Sequence, residues 1–143
     1  MAAVWAALLV TSAVATSGLN AAAGRVQSAA DGAGLTTKNG VFNAAQAGRG
    51  EDTYMSICVS CHPRGTYATP AFRTQWTGRP LSELFEFVRE KMPKNDPGSL
   101  TPDEYAQVVA YILKINDLPA GEHELPPDSE ALKKIRIELP AVQ

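Results

Sequence analysis

The chain has only two cysteines, and they stand beside a histidine in one pentapeptide, Cys58-Val59-Ser60-Cys61-His62. A disulfide framework needs cysteines spread along a chain to close its loops, and here there is none. A bridge between Cys58 and Cys61 would close so short a loop that it would stabilise little. A fold built from these 143 residues must therefore rest on buried apolar surface, or on a group bound at the pentapeptide. The length suits one domain with tails. A formal net charge of −2, without a block of like charges, gives no reason to expect nucleic acid as a partner.

Composition divides the chain. Ala2 to Val10 are apolar and small residues follow, with two A-x-A triplets at Ala13-Val14-Ala15 and Ala21-Ala22-Ala23. This is export-signal chemistry, although no Lys or Arg precedes Arg25. Residues 1–23 are therefore expected to be a signal peptide, and the chain periplasmic or otherwise exported. Membrane association is expected only if that segment stays uncleaved. The Ala-, Gly-, Ser- and Thr-rich stretch that follows has too little apolar surface to offset the cost of ordering it, so residues 24–42 are expected to be a flexible linker. The compact domain is expected over residues 43–118, with residues 119–143 as a C-terminal extension.

The expected domain is all-α with long loops. Asn43 followed by Gln46 resembles a capping box and opens a helix with Ala47, Gly50, Tyr54 and Ile57 on one face. The Pro-, Gly- and Thr-rich segment from His62 to Arg79 reads as loop, anchored by Phe72 and Trp76. Leu81, Leu84, Phe85 and Val88 give a second helix, stopped by Pro93. Thr101, Pro102 and Glu104 are the cap, the first helical position and the reciprocal partner of a third, whose apolar face is Tyr105, Val108, Val109 and Ile112. In the extension, a short helix is expected around Ser129 to Ile135. Leu125, Leu132, Ile135, Ile137 and Leu139 are more apolar residues than a free tail needs, and suit either packing back on the domain or docking on a partner subunit. So small a domain buries little by itself, and a covalently attached macrocycle in its core would act as a staple.

The pentapeptide is suited to that role. Two thiols one helical turn apart can each form a thioether with a vinyl group of one haem, and the next residue, His62, then lies beneath the iron as proximal ligand. A zinc site would need two more ligands, and the only other histidine, His123, lies far off in a Pro-rich tail. A dithiol redox site would expect a βαβ context, which is not visible. For the sixth position, Met1 and Met55 are badly placed, whereas Met92 ends a helix and precedes Pro93, where its thioether can swing onto the distal face. His123 is the alternative. Phe72, Trp76, Phe85 and Tyr105 are the expected haem lining.

These residues match a known family pattern. The chain resembles the class I cytochromes c from about Ala44 to Asn116. Gly50 and Tyr54 stand where that family places a Gly and an aromatic before its first Cys, and Val108 and Tyr111 stand where its last helix crosses that face. Lys91-Met92-Pro93 resembles the bacterial methionine loop. A narrower likeness, in Met92-Pro93, Pro97-Gly98-Ser99-Leu100 and Glu104-Tyr105, is to the cytochrome c modules that accompany bacterial quinoprotein dehydrogenases. The resemblance implies a cytochrome c fold of three main helices around one covalent haem c, ligated by His62 and Met92. It implies electron transfer without catalysis, either as a soluble carrier or as the electron-accepting subunit of a dehydrogenase or respiratory complex. Redox proteins (a dehydrogenase, an oxidase or another cytochrome) are then the partners. A haem enzyme or gas sensor would instead need a vacant distal site. Arg64, Arg73, Arg79, Arg89, Lys91 and Lys94 outnumber Glu83, Glu86 and Glu90 between His62 and Lys94, and could form a positive rim for an acidic partner. Trp76 or Arg79 could bond a haem propionate.

Overall fold

A computed structural model describes residues 34–141. The expected signal segment, and the part of the expected linker before residue 34, lie outside them. Five α-helices follow in order: α1 (Ala44–Thr53), α2 (Pro70–Trp76), α3 (Leu81–Lys91), α4 (Pro102–Lys114) and α5 (Ser129–Leu132). Short 3-10 turns lie at Thr37–Asn39 and Thr66–Ala68, and among the described residues there is no strand beyond isolated bridges. The architecture is all-α, as the sequence suggests.

The two best-packed helices are α1 and α4. The Asn43 side chain caps α1 by accepting from the Gln46 N–H at 2.8 Å, and the capping box of Thr101 and Glu104 starts α4. Gly50 is the point of contact between them: a Cβ there would lie 1.8 Å from the Gln107 carbonyl oxygen. Only a glycine lets the two backbones come so close. Residues Val108 to Leu113 of α4 are all buried, so this half of the helix is surrounded, while Pro102, Asp103 and Lys114 at its ends are exposed.

Several segments expected to be loose are structured. The Gln46 side chain does not return to its cap. It is buried and exchanges two hydrogen bonds with the main chain of Leu125, at 2.8 and 2.7 Å. The part of the expected linker from Leu35 to Phe42 is docked, with Thr37 and Phe42 buried. Its hold is on the tail: the Thr37 N–H donates to the Arg136 carbonyl at 3.0 Å, and the Thr37 hydroxyl donates to the Glu138 carbonyl at 2.9 Å. The other edge of the same tail segment pairs with the loop before α3. Gly78 N–H donates to Ile137 O at 2.8 Å, Ile137 N–H to Arg79 O at 2.8 Å, and Leu81 N–H to Ile135 O at 2.8 Å.

The extension thus packs back on the domain. Leu125, Leu132, Ile135, Ile137 and Leu139 are all in the core, and α5 lies along α3, where Ser129 Oγ donates to Glu86. Residues 62–79 are not all loop either. Thr69 caps α2 and Pro70 occupies its first turn, a local signal that the Pro- and Thr-rich composition masks. Phe72 and Trp76 are the buried residues of that helix, as anchors should be.

Candidate functional site

The pentapeptide follows α1 through one wide turn. From Tyr54 to Cys58 the helix is π-type, with the Val59 N–H donating to the Tyr54 carbonyl at 2.9 Å. Such single-turn insertions are common at functional sites. The extra residue turns the apolar stripe: Ala47, Gly50 and Tyr54 are buried, but Ile57, expected on the same face, is 39 % exposed. Beyond the turn, the Cys61 and His62 N–H groups both donate to the Cys58 carbonyl, at 3.2 and 2.9 Å. The two thiols are unbridged, Cys58 half-buried and Cys61 exposed. Burial pushes the Cys58 thiol above its ordinary value. Among the described residues, no group of three or more His, Cys, Asp and Glu side chains is placed to hold a metal ion.

Cys58, Cys61 and His62 open on a cavity of about 1020 Å³. Met92 and Pro93 line the same cavity from the end of α3, and Leu84, Phe87 and Val88 from the body of that helix. Phe72 and Trp76 of α2 line it, and so does Tyr67, a residue that sequence reasoning passed over. The aromatic rings run in series. His62 is 5.4 Å from Tyr67, Tyr67 is 5.5 Å from Phe72, Phe72 is 6.2 Å from Trp76, and Trp76 is 5.6 Å from Phe87. A lone aromatic among Pro, Gly and Thr just after His62 was the available signal for Tyr67.

Two expected lining residues are elsewhere. Phe85 follows Leu84 on α3, and about 100° of helical rotation carries it off the cavity face into the core. Tyr105 is 1 % exposed in the first turn of α4 and is not in the cavity wall, but its hydroxyl donates to the Met92 carbonyl at 2.8 Å. His123 is exposed in the tail and Met55 packs against the core, both away from the cavity.

The wall near His62 is braced from behind. Asn116, fully buried, donates through Nδ2 to the carbonyls of Tyr67 (2.7 Å) and Ile112 (2.9 Å). Its Oδ1 accepts from Arg73 Nε at 3.2 Å, and a second Arg73 nitrogen donates to the Pro140 carbonyl at 3.2 Å. Helix α2, the Tyr67 turn, the end of α4 and the tail are thereby tied together.

The expected positive rim is largely neutralised. Arg64 pairs with Glu51 at 2.9 Å, Arg73 with Asp117 at 3.5 Å, Arg79 with Glu83 at 2.5 Å, Arg89 with Glu86 at 2.6 Å and Lys91 with Glu90 at 4.0 Å. Two of those carboxylates, Glu51 and Asp117, come from outside the segment, which is why a local charge count missed them. Of the six cations, only Lys94 has no carboxylate partner among the described residues. Arg79 stacks on Trp76 at 4.5 Å while bonding Glu83.

The donor set and the cavity suit one flat apolar macrocycle with a metal at its centre: two thiols a turn apart, an imidazole, a thioether and a largely aromatic and aliphatic wall. Residues 45–112 match the family described as cytochrome c oxidase, cbb3-type, subunit III. That segment belongs to the c-type cytochromes. The match runs from α1 into α4 and takes in the pentapeptide, the α2 wall and Met92. The all-α architecture is that of a cytochrome c, and the match supports haem-based electron transfer. No curated protein and no solved structure matches the chain. Among the described residues, no helix is long and apolar enough to cross a membrane.

Proposed function

We propose that this cytochrome carries single electrons on one haem c, held covalently by Cys58 and Cys61 and ligated by His62 and Met92, and that it catalyses no reaction of its own. The observation that carries the reading is the shared cavity: both thiols, the imidazole and Met92 line one apolar chamber. When bound, the haem supplies a ferric–ferrous couple, whose potential a thioether ligand raises.

The chain's residues perform the rest. Addition of each thiol across a vinyl double bond would anchor the group without loss of atoms. With His62 and Met92 both holding the metal, no open site would remain for oxygen or peroxide, which favours a carrier over a haem enzyme or sensor. Phe72, Trp76, Leu84 and Val88 line the chamber and would keep water from the bound group, which would lower the local dielectric and disfavour the more charged ferric state.

The partner class is a redox protein. The family's description names a subunit of an oxidase, so an oxidase is the first acceptor to try, with a dehydrogenase or another cytochrome as the other choices. The narrower likeness to dehydrogenase-associated modules has no counterpart in that match. With most of the cationic rim already paired, docking should rest on shape and apolar contact more than on charge, and association should depend weakly on salt. The apolar N-terminal segment supports export to the periplasm, where the haem would be attached.

Visible spectra of oxidised and reduced protein test the assignment. Wild type is expected to show a low-spin haem spectrum that resists carbon monoxide at neutral pH. Met92→Ala is expected to keep the haem, turn high-spin in the ferric form and bind carbon monoxide at once. Protein without haem would overturn the reading, and an unchanged spectrum in Met92→Ala would remove Met92 as ligand.

A further inference from the structure

Two buried tyrosines hold the main chain of the two residues that face each other in the proposed ligation. The Tyr54 hydroxyl donates to the His62 carbonyl at 2.6 Å, with a longer contact to the Pro63 carbonyl at 3.5 Å. The Tyr105 hydroxyl donates to the Met92 carbonyl at 2.8 Å, and the Leu100 N–H approaches it at 3.5 Å. Each tyrosine is 1 % exposed.

The two arrangements are built alike. The His62 N–H is bound to the Cys58 carbonyl at the end of its own helix, and the Met92 N–H to the Val88 carbonyl at the end of α3, both at 2.9 Å. In each residue the helix end fixes the N–H and a tyrosine fixes the C=O. The tyrosines come from the two helices locked together at Gly50 and Gln107, Tyr54 directly after α1 and Tyr105 within α4. A tyrosine ring has few rotatable bonds, so close packing of the ring sets where its hydroxyl lies. One rigid helix pair therefore references both residues.

We propose that Tyr54 and Tyr105 are paired positioning residues, Tyr54 setting the reach of the His62 imidazole and Tyr105 that of the Met92 thioether. This rests on the haem reading above. Neither tyrosine contributes an atom to the metal, so each acts through the residue whose carbonyl it holds. A merely structural role is the rival explanation, because a buried tyrosine hydroxyl needs a partner somewhere. The two differ in what they move. Structural bonds affect unfolding alone, whereas positioning bonds affect ligation, each on its own side.

The experiment uses haem-loaded full-length protein as wild type, Tyr54→Phe, Tyr105→Phe and Tyr111→Phe. The last removes a buried hydroxyl that bonds neither carbonyl. Imidazole titration of the ferric form reads how firmly Met92 holds its place, and the ferric electron paramagnetic resonance spectrum reads the axial set. Tyr105→Phe is expected to raise imidazole affinity about fivefold, the equivalent of about 1 kcal/mol for one neutral hydrogen bond. Tyr54→Phe is expected to shift the resonance g-values and leave imidazole affinity within about twofold of wild type, because Met92 is untouched. Tyr111→Phe is expected to change neither. If both Tyr54→Phe and Tyr105→Phe keep wild-type affinity and g-values and lose only thermal stability, the bonds are structural and the inference falls. Wild-type protein that takes up no haem overturns the functional reading and this inference together. Wild type with haem and silent phenylalanine variants overturns the inference alone.

Discussion

The α1–α4 crossing and the clasp formed by residues 35–42 and the C-terminal tail both close the same core, by opposite means. The crossing is made of packing specified by residue type: Gly50 lets the two backbones close, and Ala47 and Tyr54 are buried with Val108 and its neighbours around helices that each begin with a side-chain cap. The clasp is made largely of main chain. Residues 135–138 bond to residues 35–37 along one edge and to residues 78–81 along the other, without forming a regular sheet. Helix packing of the first kind leaves a pattern in the sequence. Main-chain pairing between segments about a hundred positions apart leaves almost none, because every residue carries the same N–H and C=O.

The comparison breaks most sharply at Gly50. Alanine there must push the Gln107 carbonyl away from a Cβ 1.8 Å off, and neither helix can move without uncovering the core. Gly50→Ala is expected to lose about 3 kcal/mol or more by urea unfolding, at the upper end of overpacking costs. A loss under about 1 kcal/mol would mean the crossing yields easily and is no rigid reference.

The clasp is next. Ile137 is fully buried at its centre, and Ile137→Ala is expected to cost about 2–3 kcal/mol, as truncation in a well-packed core does. The shape of the transition matters more than the size. If the tail is part of the domain, unfolding followed by tryptophan fluorescence and by far-ultraviolet circular dichroism should stay a single coincident transition. Two separated transitions would make the tail an appendage that folds on its own account.

Gln46 joins the two regions and sharpens the contrast. Sequence reading made it the reciprocal partner in a local cap, since a glutamine three residues after Asn43 usually is. In the fold its amide is a buried two-way bridge to Leu125. Gln46→Leu leaves the Leu125 N–H and C=O unpaired, and is expected to cost about 2 kcal/mol in thermal or urea unfolding. A purely local cap role would cost a few tenths. The same lesson applies to Ile57, whose burial was inferred from a period that one π turn interrupts. It applies also to the cationic rim, where Glu51 and Asp117 arrive from distant segments. What could be read was local: the Cys-x-x-Cys-His spacing, the Thr101 cap, and Met92 at the end of a helix. Thr69-Pro70 was equally local and was hidden only by the composition around it. What could not be read was any contact between ordinary polar groups that no spacing rule links, whether a hundred positions apart, like Thr37 and Glu138, or nearer, like the tyrosine bonds to the His62 and Met92 carbonyls.

The smallest effect belongs to the side of the comparison that sequence read best. The main-chain N–H of Thr101, and then its hydroxyl, hold the Glu104 carboxyl below its ordinary value of 4.5. Because the folded state favours the charged form, the contribution is fully present above the unfolded value and is lost as pH falls through the folded one. Wild-type stability should therefore decline below about pH 4.5 partly through this group. Glu104→Gln keeps an oxygen to accept the Thr101 bonds but removes the titration and the negative charge at the start of α4. The variant should melt slightly below wild type at pH 6, and the gap should shrink at pH 3, where the wild-type carboxylate is itself protonating. A gap that stayed constant with pH would assign the cap's value to its geometry alone. The helix that most clearly announced itself in the sequence would then owe nothing to charge.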